Sequence, residues 1–311
     1  MAKSLHCTAL STALMQTALA PDVVWSLLLE LRRAARVWEA RPAGLGFGLT
    51  AAWQPTLIPA ADAATLIEIT ETGSWTARGP VPPVSAELLD LYLPMALADR
   101  RQPFTLAHLG QSLDGRIATV RGASCSINGP ENLTHLHRMR ALADAVLVGA
   151  GTVECDDPQL TTRRVAGPHP VRVVIDPRRR LNAAHRLFQD RTAPTWLVCA
   201  EALADQPGPG YAEVIGIPQE DECLSLQEMV RRLRERGLYG LFVEGGGVTV
   251  SAFLQAGVLD CLQLGIAPLI IGSGRPGITL PVIEDLSDGL RPHPRRYMMG
   301  EDVLFDCRFA R

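Results

Sequence analysis

No two cysteines in this chain are spaced as C-x-x-C. The seven that occur, Cys7, Cys125, Cys155, Cys199, Cys223, Cys261 and Cys307, are scattered and odd in number, so neither a zinc site nor a disulfide framework is signalled. Several stand in apolar runs, where a reduced thiol acts as a small hydrophobe, and a reducing, cytoplasmic compartment fits. Charge of one sign is also missing. The net charge of −3 gives no reason to expect a nucleic-acid or anionic-membrane partner. No stretch approaches about 18 uninterrupted apolar residues, so no membrane span is expected. The run after Lys3 ends in Ala18-Leu19-Ala20, but it carries Ser11, Thr12, Gln16 and Thr17, and Pro21 would follow the cut; no cleaved signal is expected. There is no G-x-S-x-G for a serine hydrolase and no H-x-E with a later P-C-x-x-C for a zinc deaminase, and the glycine turn at Val243–Gly247 is not a G-x-G-x-x-G dinucleotide fingerprint. His108, His135 and His137 are close in sequence, but the last two do not share a helix face, and no metal is expected.

What is present is length and apolar content for one large domain or two moderate ones: 311 residues, 47% hydrophobic. Residues 1–100 form a distinct segment. PDVVWSLLLELRRAARVWEA (21–40) has helical apolar spacing, with Arg32, Arg33, Arg36 and Glu39 on its polar face. Strands are expected at 47–53 and 65–70, a loop over GSWTARGPVPP, and a helix over 85–98 capped by Ser85. This reads as a small α+β module for packing or dimerisation, with a lid role as the alternative.

Residues 101–311 read differently. Strands are expected at 104–109 and 116–120, then a helix from Pro130 to about Ala143 whose inner face carries Leu133, Leu136, His137, Arg140 and Ala141. AVLVG (145–149) is a short continuous apolar run, as in a strand buried on both faces. Gly149-Ala150-Gly151-Thr152 and an acidic loop follow it. VRVVID, WLVCA and AEVIGIP supply further strands. SLQEMVRRLRER forms an amphipathic helix stopped by Gly237, LFVEGG runs from strand into turn, and a helix spans about 248–256. A strand over 261–272 and a terminal hairpin complete the chain. Strands alternating with helices predict an α/β fold with a mostly parallel central sheet flanked by helices.

Ligands of such sheets bind beyond the C-terminal strand ends, which makes Thr152, Asp156 and Asp157 candidate site residues. Val243-Glu244-Gly245-Gly246-Gly247 ends a strand, crowds three glycines and begins a helix, whose free N–H groups suit a pyrophosphate. The same glycines also fit a tight turn with no ligand, and Asp156-Asp157 also fits a solvated turn. Arg116, Arg140 and Arg163 read either as surface ion-pair residues or as a bidentate phosphate site.

In order along the chain, Ser112-Leu113-Asp114-Gly115-Arg116, Ser124 with Ile127-Asn128, Leu136 to Ala141, Val148 to Thr152, Asp156 to Thr161, Val171 to Asp176 and Val243 to Gly247 resemble the pyrimidine reductase family of bacterial riboflavin biosynthesis. The resemblance covers about residues 101–311. It implies a dihydrofolate-reductase-like fold, a homodimer, and NADPH-dependent hydride transfer to C1 of a phosphoribosylamino-pyrimidine in its open-chain imine form. By that resemblance Ser126, Gly149, Gly151, Thr152, Asp156, Gly245, Gly246, Gly247, Val248, Thr249 and Val250 would hold NADPH. Ser112, Asp114, Ser124, Arg140, Leu160, Arg163 and Glu244 would face the phosphorylated substrate. Asp156, His108 and Glu244 are the catalytic candidates. Asp156 would orient the reacting amine, and His108, which stands where the family carries a lysine, would donate a proton near neutral pH. Charge alone suggests Arg178 or Arg179 for the cofactor's 2′-phosphate. A same-fold reductase of a dihydropteridine or secondary-metabolite precursor, and a non-catalytic nucleotide-binding regulator, are the alternatives.

Overall fold

The computed structural model describes residues 17–38, 41–42, 44–50, 55–70, 73–124 and 127–309. The chain divides into two compact units, Met1–Ala98 and Asp99–Arg311.

In the first unit, helix α1 (Pro21–Ala35) is followed by strands β1 (Leu45–Leu49), β2 (Pro55–Pro59), β3 (Thr65–Ile69) and β4 (Trp75–Ala77), then helix α2 (Pro83–Ala96). The strands form an antiparallel sheet ordered β2-β1-β3-β4. The helices pack through Val24, Leu27, Leu28, Leu31, Leu89 and Leu93, with Trp25 edge-on to Tyr92 at 5.8 Å. Three expectations are corrected here. β4 lies inside the expected loop, since its partner strand supplies the pairing that its Gly- and Pro-rich flanks hide. Ser85 does not cap α2; its hydroxyl is buried and donates to the Leu19 carbonyl at 2.6 Å. Arg32 is not on a solvated face but 1% exposed, donating to the Ala98 carbonyl just beyond α2.

The second unit contains β5 (Phe104–Ser112), β6 (Arg116–Thr119), α3 (Pro130–Leu142), β7 (Ala145–Gly149), α4 (Ala150–Asp156), β8 (Val171–Ile175), α5 (Arg186–Gln189), β9 (Thr195–Ala200), β10 (Glu213–Ile217), β11 (Gln219–Glu220), β12 (Cys223–Leu224), α6 (Leu226–Glu235), β13 (Gly240–Glu244), α7 (Gly247–Gln255), β14 (Cys261–Ala267), β15 (Gly274–Pro276), β16 (His293–Met299) and β17 (Asp302–Arg308). Nine strands form one sheet, ordered β10-β9-β8-β7-β13-β5-β14-β17-β16. Pairing is parallel from β10 through β14 and antiparallel at β17 and β16.

The reason for this order is visible in the strands. Leu147, Leu241, Val243 and Val173 are buried in the middle of the sheet, where both faces are covered by helices. α6 buries Met229, Val230 and Leu233, sets Glu228, Arg231 and Glu235 outward, and stops at Gly237 with φ +85°. The chain leaves β7 for β8 on one side and leaves β13 for β14 on the other. β7 and β13 are neighbours, so the cleft between their C-terminal ends is the topological switch point.

α4 was expected as an acidic loop. It is a two-turn helix, anchored by buried Val153 and ended by Asp157 at φ +38°. The expected strand over 261–272 stops at Ala267.

Candidate active site

A cavity of about 1770 Å³ opens at the switch point, lined entirely by the second unit. Two strand-to-helix turns meet there. Gly245 and Gly246 end β13 with φ of +84° and +77°, conformations that favour glycine. A Cβ at Gly247 would stand 2.3 Å from the Gly277 carbonyl oxygen, and one at Gly149 would stand 2.4 Å from Thr249 Oγ1. A Cβ at Gly246 would meet Thr152 Oγ1 at 2.9 Å. The glycines therefore bring two helix starts into mutual contact, with the Thr152 and Thr249 hydroxyls between them. The first α7 turn is closed by the Val250 N–H to the Gly246 carbonyl at 3.0 Å, which leaves the preceding N–H groups of α7 without an intrahelical acceptor. Such a cradle, with no side chain to fill it, fits a pyrophosphate.

Of the cofactor candidates, Gly149, Gly151, Thr152, Asp156, Gly245, Gly246, Gly247, Val248 and Thr249 line this cavity. Val250 does not; its side chain is fully buried in the core. Ser126 lies outside the described residues. Arg179 is spent on the Leu203, Gln206 and Pro207 carbonyls, whereas Arg178 is exposed and lines the cavity. The charge-based choice between the two thus narrows to Arg178.

The other end of the cavity is floored by β5 and β13. His108 on β5 pairs in register with Glu244 on β13. Its Nε2 donates to Asn132 Oδ1 at 3.1 Å. Burial pushes its imidazole down to about 4, against smaller upward effects of the Asn132 bond and of Glu244 and Asp302. Next to it, ring centroids 5.5 Å apart, His135 bonds Gln263 at 2.8 Å and is pushed down to about 3, chiefly by burial. The expectation that His108 donates a proton near neutral pH is corrected here. A ring that neutralises at about 4 holds no imidazolium proton to give at neutral pH.

Glu244 is gripped by Arg140, whose Nε donates to Oε2 at 2.6 Å and whose Nη2 donates to Oε1. Arg140 Nη1 donates to the Thr161 carbonyl at 3.0 Å. This bidentate pair is nearly buried, and it occupies the arginine that was expected to face substrate; Arg140 stands behind Glu244 and does not line the cavity. Arg163 is exposed, with its guanidinium on Thr161 Oγ1 at 2.7 Å. Burial and the positive charge of Arg140 lower its pKa, and Arg186 and Arg164 act in the same direction. Glu244 acts in the opposite direction, so a basic group gathers beside that carboxylate, although Arg163, Arg164 and Arg186 do not line the cavity. Ser124 donates to Asp156 Oδ1 at 3.1 Å, and both line the cavity, as does Leu160.

Ser112 and Asp114 are placed elsewhere. The Ser112 hydroxyl donates to Asp114 Oδ1 at 2.6 Å, and Asp114 accepts the Ile271 and Gly272 N–H groups at 3.1 and 2.6 Å. The Ser112 hydroxyl bond, followed by the Ile271 bond, holds the Asp114 carboxyl down at about 2. These two residues lock a turn and do not line the cavity.

Asn128 and Asn132 were not expected to share the site with His108. Gly110 and Gly265 make room for them: a Cβ at Gly110 would stand 1.9 Å from Asn128 Oδ1, and one at Gly265 would stand 2.8 Å from Asn132 Nδ2. Of the expected inner face of α3, His137, Arg140 and Ala141 are buried, together with Asn132, His135 and Met139, whereas Leu133 and Leu136 line the cavity. The available signal was the i, i+4 pairing of Asn132 with Leu136 on one face. Among the described residues no group of three or more His, Cys, Asp or Glu is placed to hold a metal.

A mostly parallel sheet with a ligand-sized cleft between two glycine-turned helix starts defines an α/β protein of the nucleotide-binding kind. Residues 103–286 match the family described as the RibD C-terminal domain, and the chain belongs to that family. It is 34% identical over 217 residues to the 2,5-diamino-6-ribosylamino-4(3H)-pyrimidinone 5′-phosphate reductase of Methanothermobacter thermautotrophicus, a match covering 66% of this chain and 97% of the relative. It is also 34% identical to the riboflavin biosynthesis protein RibD of Haemophilus influenzae, over 60% of this chain; the matched region spans only 53% of that relative. A Thermotoga maritima structure described as a diaminohydroxyphosphoribosylaminopyrimidine deaminase/5-amino-6-(5-phosphoribosylamino)uracil reductase superposes with a TM-score of 0.62 at 20% identity, covering 92% of this chain and 99% of that one. At that identity the likeness is one of fold.

Proposed function

We propose that this chain is a nicotinamide-dependent reductase of a phosphoribosylamino-pyrimidine, acting in riboflavin biosynthesis with NADPH as its reductant. The observation that carries the reading is the single cavity joining the glycine cradle to the His108–Asn132–Glu244 floor, with a basic cluster beside that floor. A cofactor cradle and a hydrogen-bonding floor thus open into one space, with the basic cluster just outside its lining. The match over 97% of a Methanothermobacter thermautotrophicus enzyme named as such a reductase, and 66% of this chain, supports the substrate class.

Gly149, Gly246, Gly247, Thr152 and Thr249 would hold the pyrophosphate, and Arg178 is placed for a 2′-phosphate. The chemistry such a cofactor supplies is a hydride, here directed to C1 of the sugar as an open-chain imine. The chain's own part is orientation and charge. Leu133, Leu136 and Leu160 exclude water from the floor. Asn128, Asn132 and neutral His108 offer fixed polar groups to a planar heterocycle. Arg163, Arg164 and Arg186 attract the phosphate. Asp156, steadied by Ser124, orients the reacting amine.

The test is oxidation of NADPH by the purified chain with 5-amino-6-(5-phosphoribosylamino)uracil and, separately, with its 2-amino pyrimidinone counterpart. Turnover to a product carrying two more hydrogens is expected, and Arg178→Ala should weaken NADPH at least about tenfold, the loss of a charge-assisted contact, while leaving NADH unchanged. Tight NADPH binding without oxidation on either pyrimidine overturns the substrate assignment.

A further inference from the structure

After α4 the chain makes an unfavourable turn that forms one wall of the cavity. Leu160 lies in the left-handed region with φ +54°, although it is not glycine, and it is only 2% exposed. A leucine persists there only where its surroundings hold it. Leu160 is flanked by Pro158, which also lines the cavity, and is followed within three residues by Arg163.

The contacts that hold this turn come from two directions. From α3, Arg140 Nη1 takes the Thr161 carbonyl, and His137 Nδ1 accepts the Arg163 backbone N–H at 2.9 Å. From the following loop, His169 Nδ1 accepts the Thr162 N–H at 3.2 Å, and the Thr162 hydroxyl donates to the Pro168 carbonyl at 2.9 Å. His137 is 6% exposed and plays no part in the cavity lining. It sits one helical turn before Arg140, so both side chains reach the same short segment.

We propose that His137 is a positioning residue for the substrate: by accepting the Arg163 N–H it clamps Leu160–Arg163 to α3, setting the Leu160 wall of the cavity and, just outside that lining, the Arg163 guanidinium. The proposal rests on the reading that Arg163 and its neighbours receive the substrate's phosphate. Arg163 is the member of the basic cluster whose backbone is tied to α3, and its guanidinium is aimed by a bond to Thr161 Oγ1 within the same clamped segment. Loss of the His137 acceptor removes the bond that ties the Arg163 N–H to α3, and the turn relaxes. Leu160 and Arg163 then lose their places together, while the glycine cradle, built on β7 and β13, is untouched.

The clamp separates two substitutions that differ little in size. In His137→Asn the amide oxygen falls near the position of Nδ1 and restores the acceptor, whereas His137→Leu removes it. In the full-length chain, His137→Leu should raise KM for the phosphoribosylamino-pyrimidine at least about tenfold, the scale of one lost hydrogen bond. It should leave kcat and the KM for NADPH within about twofold, and His137→Asn should stay close to wild type. Hydrogen exchange of the 160–163 amides should speed up in the leucine variant alone. An unchanged pyrimidine KM in His137→Leu, a parallel rise in both KM values, or equal damage in His137→Asn overturns the proposal.

If the wild-type chain turns over neither pyrimidine, the substrate reading has failed but the clamp is still decided. Ribose 5-phosphate binding by calorimetry should then be weakened by His137→Leu and not by His137→Asn. If His137→Leu does not fold, the wild-type protein suffices: a hydrogen-bond scalar coupling between the Arg163 amide and His137 Nδ1 is expected in its NMR spectrum, and its absence refutes the clamp.

Discussion

Lowering the pH should destabilise the second unit well before its carboxylates titrate, and the reason lies beneath the cavity floor. His108 and His135 are 3% and 1% exposed, and their imidazoles are held at about 4 and about 3. In the unfolded chain each ring titrates near 6.5. As pH falls through that value the unfolded chain takes up protons that the folded one refuses. Their contribution is therefore complete above about pH 6.5 and is lost as pH falls toward the folded values. At about pH 5 the loss relative to about pH 7.5 is about 2 kcal/mol for each ring, about 4 kcal/mol together. Carboxylates such as Asp114, held down at about 2, lose their contribution only below their unfolded value near 4, so the two windows separate. The assay is urea unfolding of the whole chain, read by hydrogen exchange in peptides from β5 and β14, alongside NMR titration of the two imidazoles. A urea midpoint for those peptides that does not move between these pH values refutes the reasoning. So does either ring titrating near 6.5 in the folded protein.

Two other perturbations act on separate parts of the site. Gly247→Ala should weaken NADPH at least about tenfold in a fluorescence titration, because its Cβ would press on the backbone oxygens of Gly277 and Pro276 at 2.3 and 2.8 Å and displace the α7 start. Arg140→Leu should cost about 3–5 kcal/mol in denaturant unfolding, since it leaves Glu244 nearly buried without its partner, and adding Glu244→Leu should recover part of that loss.

Much of the second unit was legible because its signals are local. AVLVG can only be a short buried run, and it became the strand beside β13. SLQEMVRRLRER carries its apolar face at helical spacing and its stop at Gly237. The terminal hairpin is equally plain in the sequence. The elements that went unread are those whose local signal is contradicted by their partners. β4 hides among Gly and Pro because β3 supplies its pairing. α4 hides because Gly149 and Gly151, poor helix formers, stand at its start. Arg32 looked solvated because a charged residue in a helix usually is, and only the carbonyl beyond α2 reverses that.

The amino-acid pattern by itself determined the α/β character, the strand-to-helix turn at Glu244–Gly247 and the residue types that could bind an anion, since each depends on neighbours a few positions apart. It could not determine which of those residues meet. His108 falls beside Asn132, Arg140 closes on Glu244, Ser112 and Asp114 withdraw into a turn, and Arg178 rather than Arg179 reaches the cavity, all through the strand order. That order also sets the proton affinity of His108, because burial, a property of the whole packed sheet, costs the charged ring more than its few polar neighbours return.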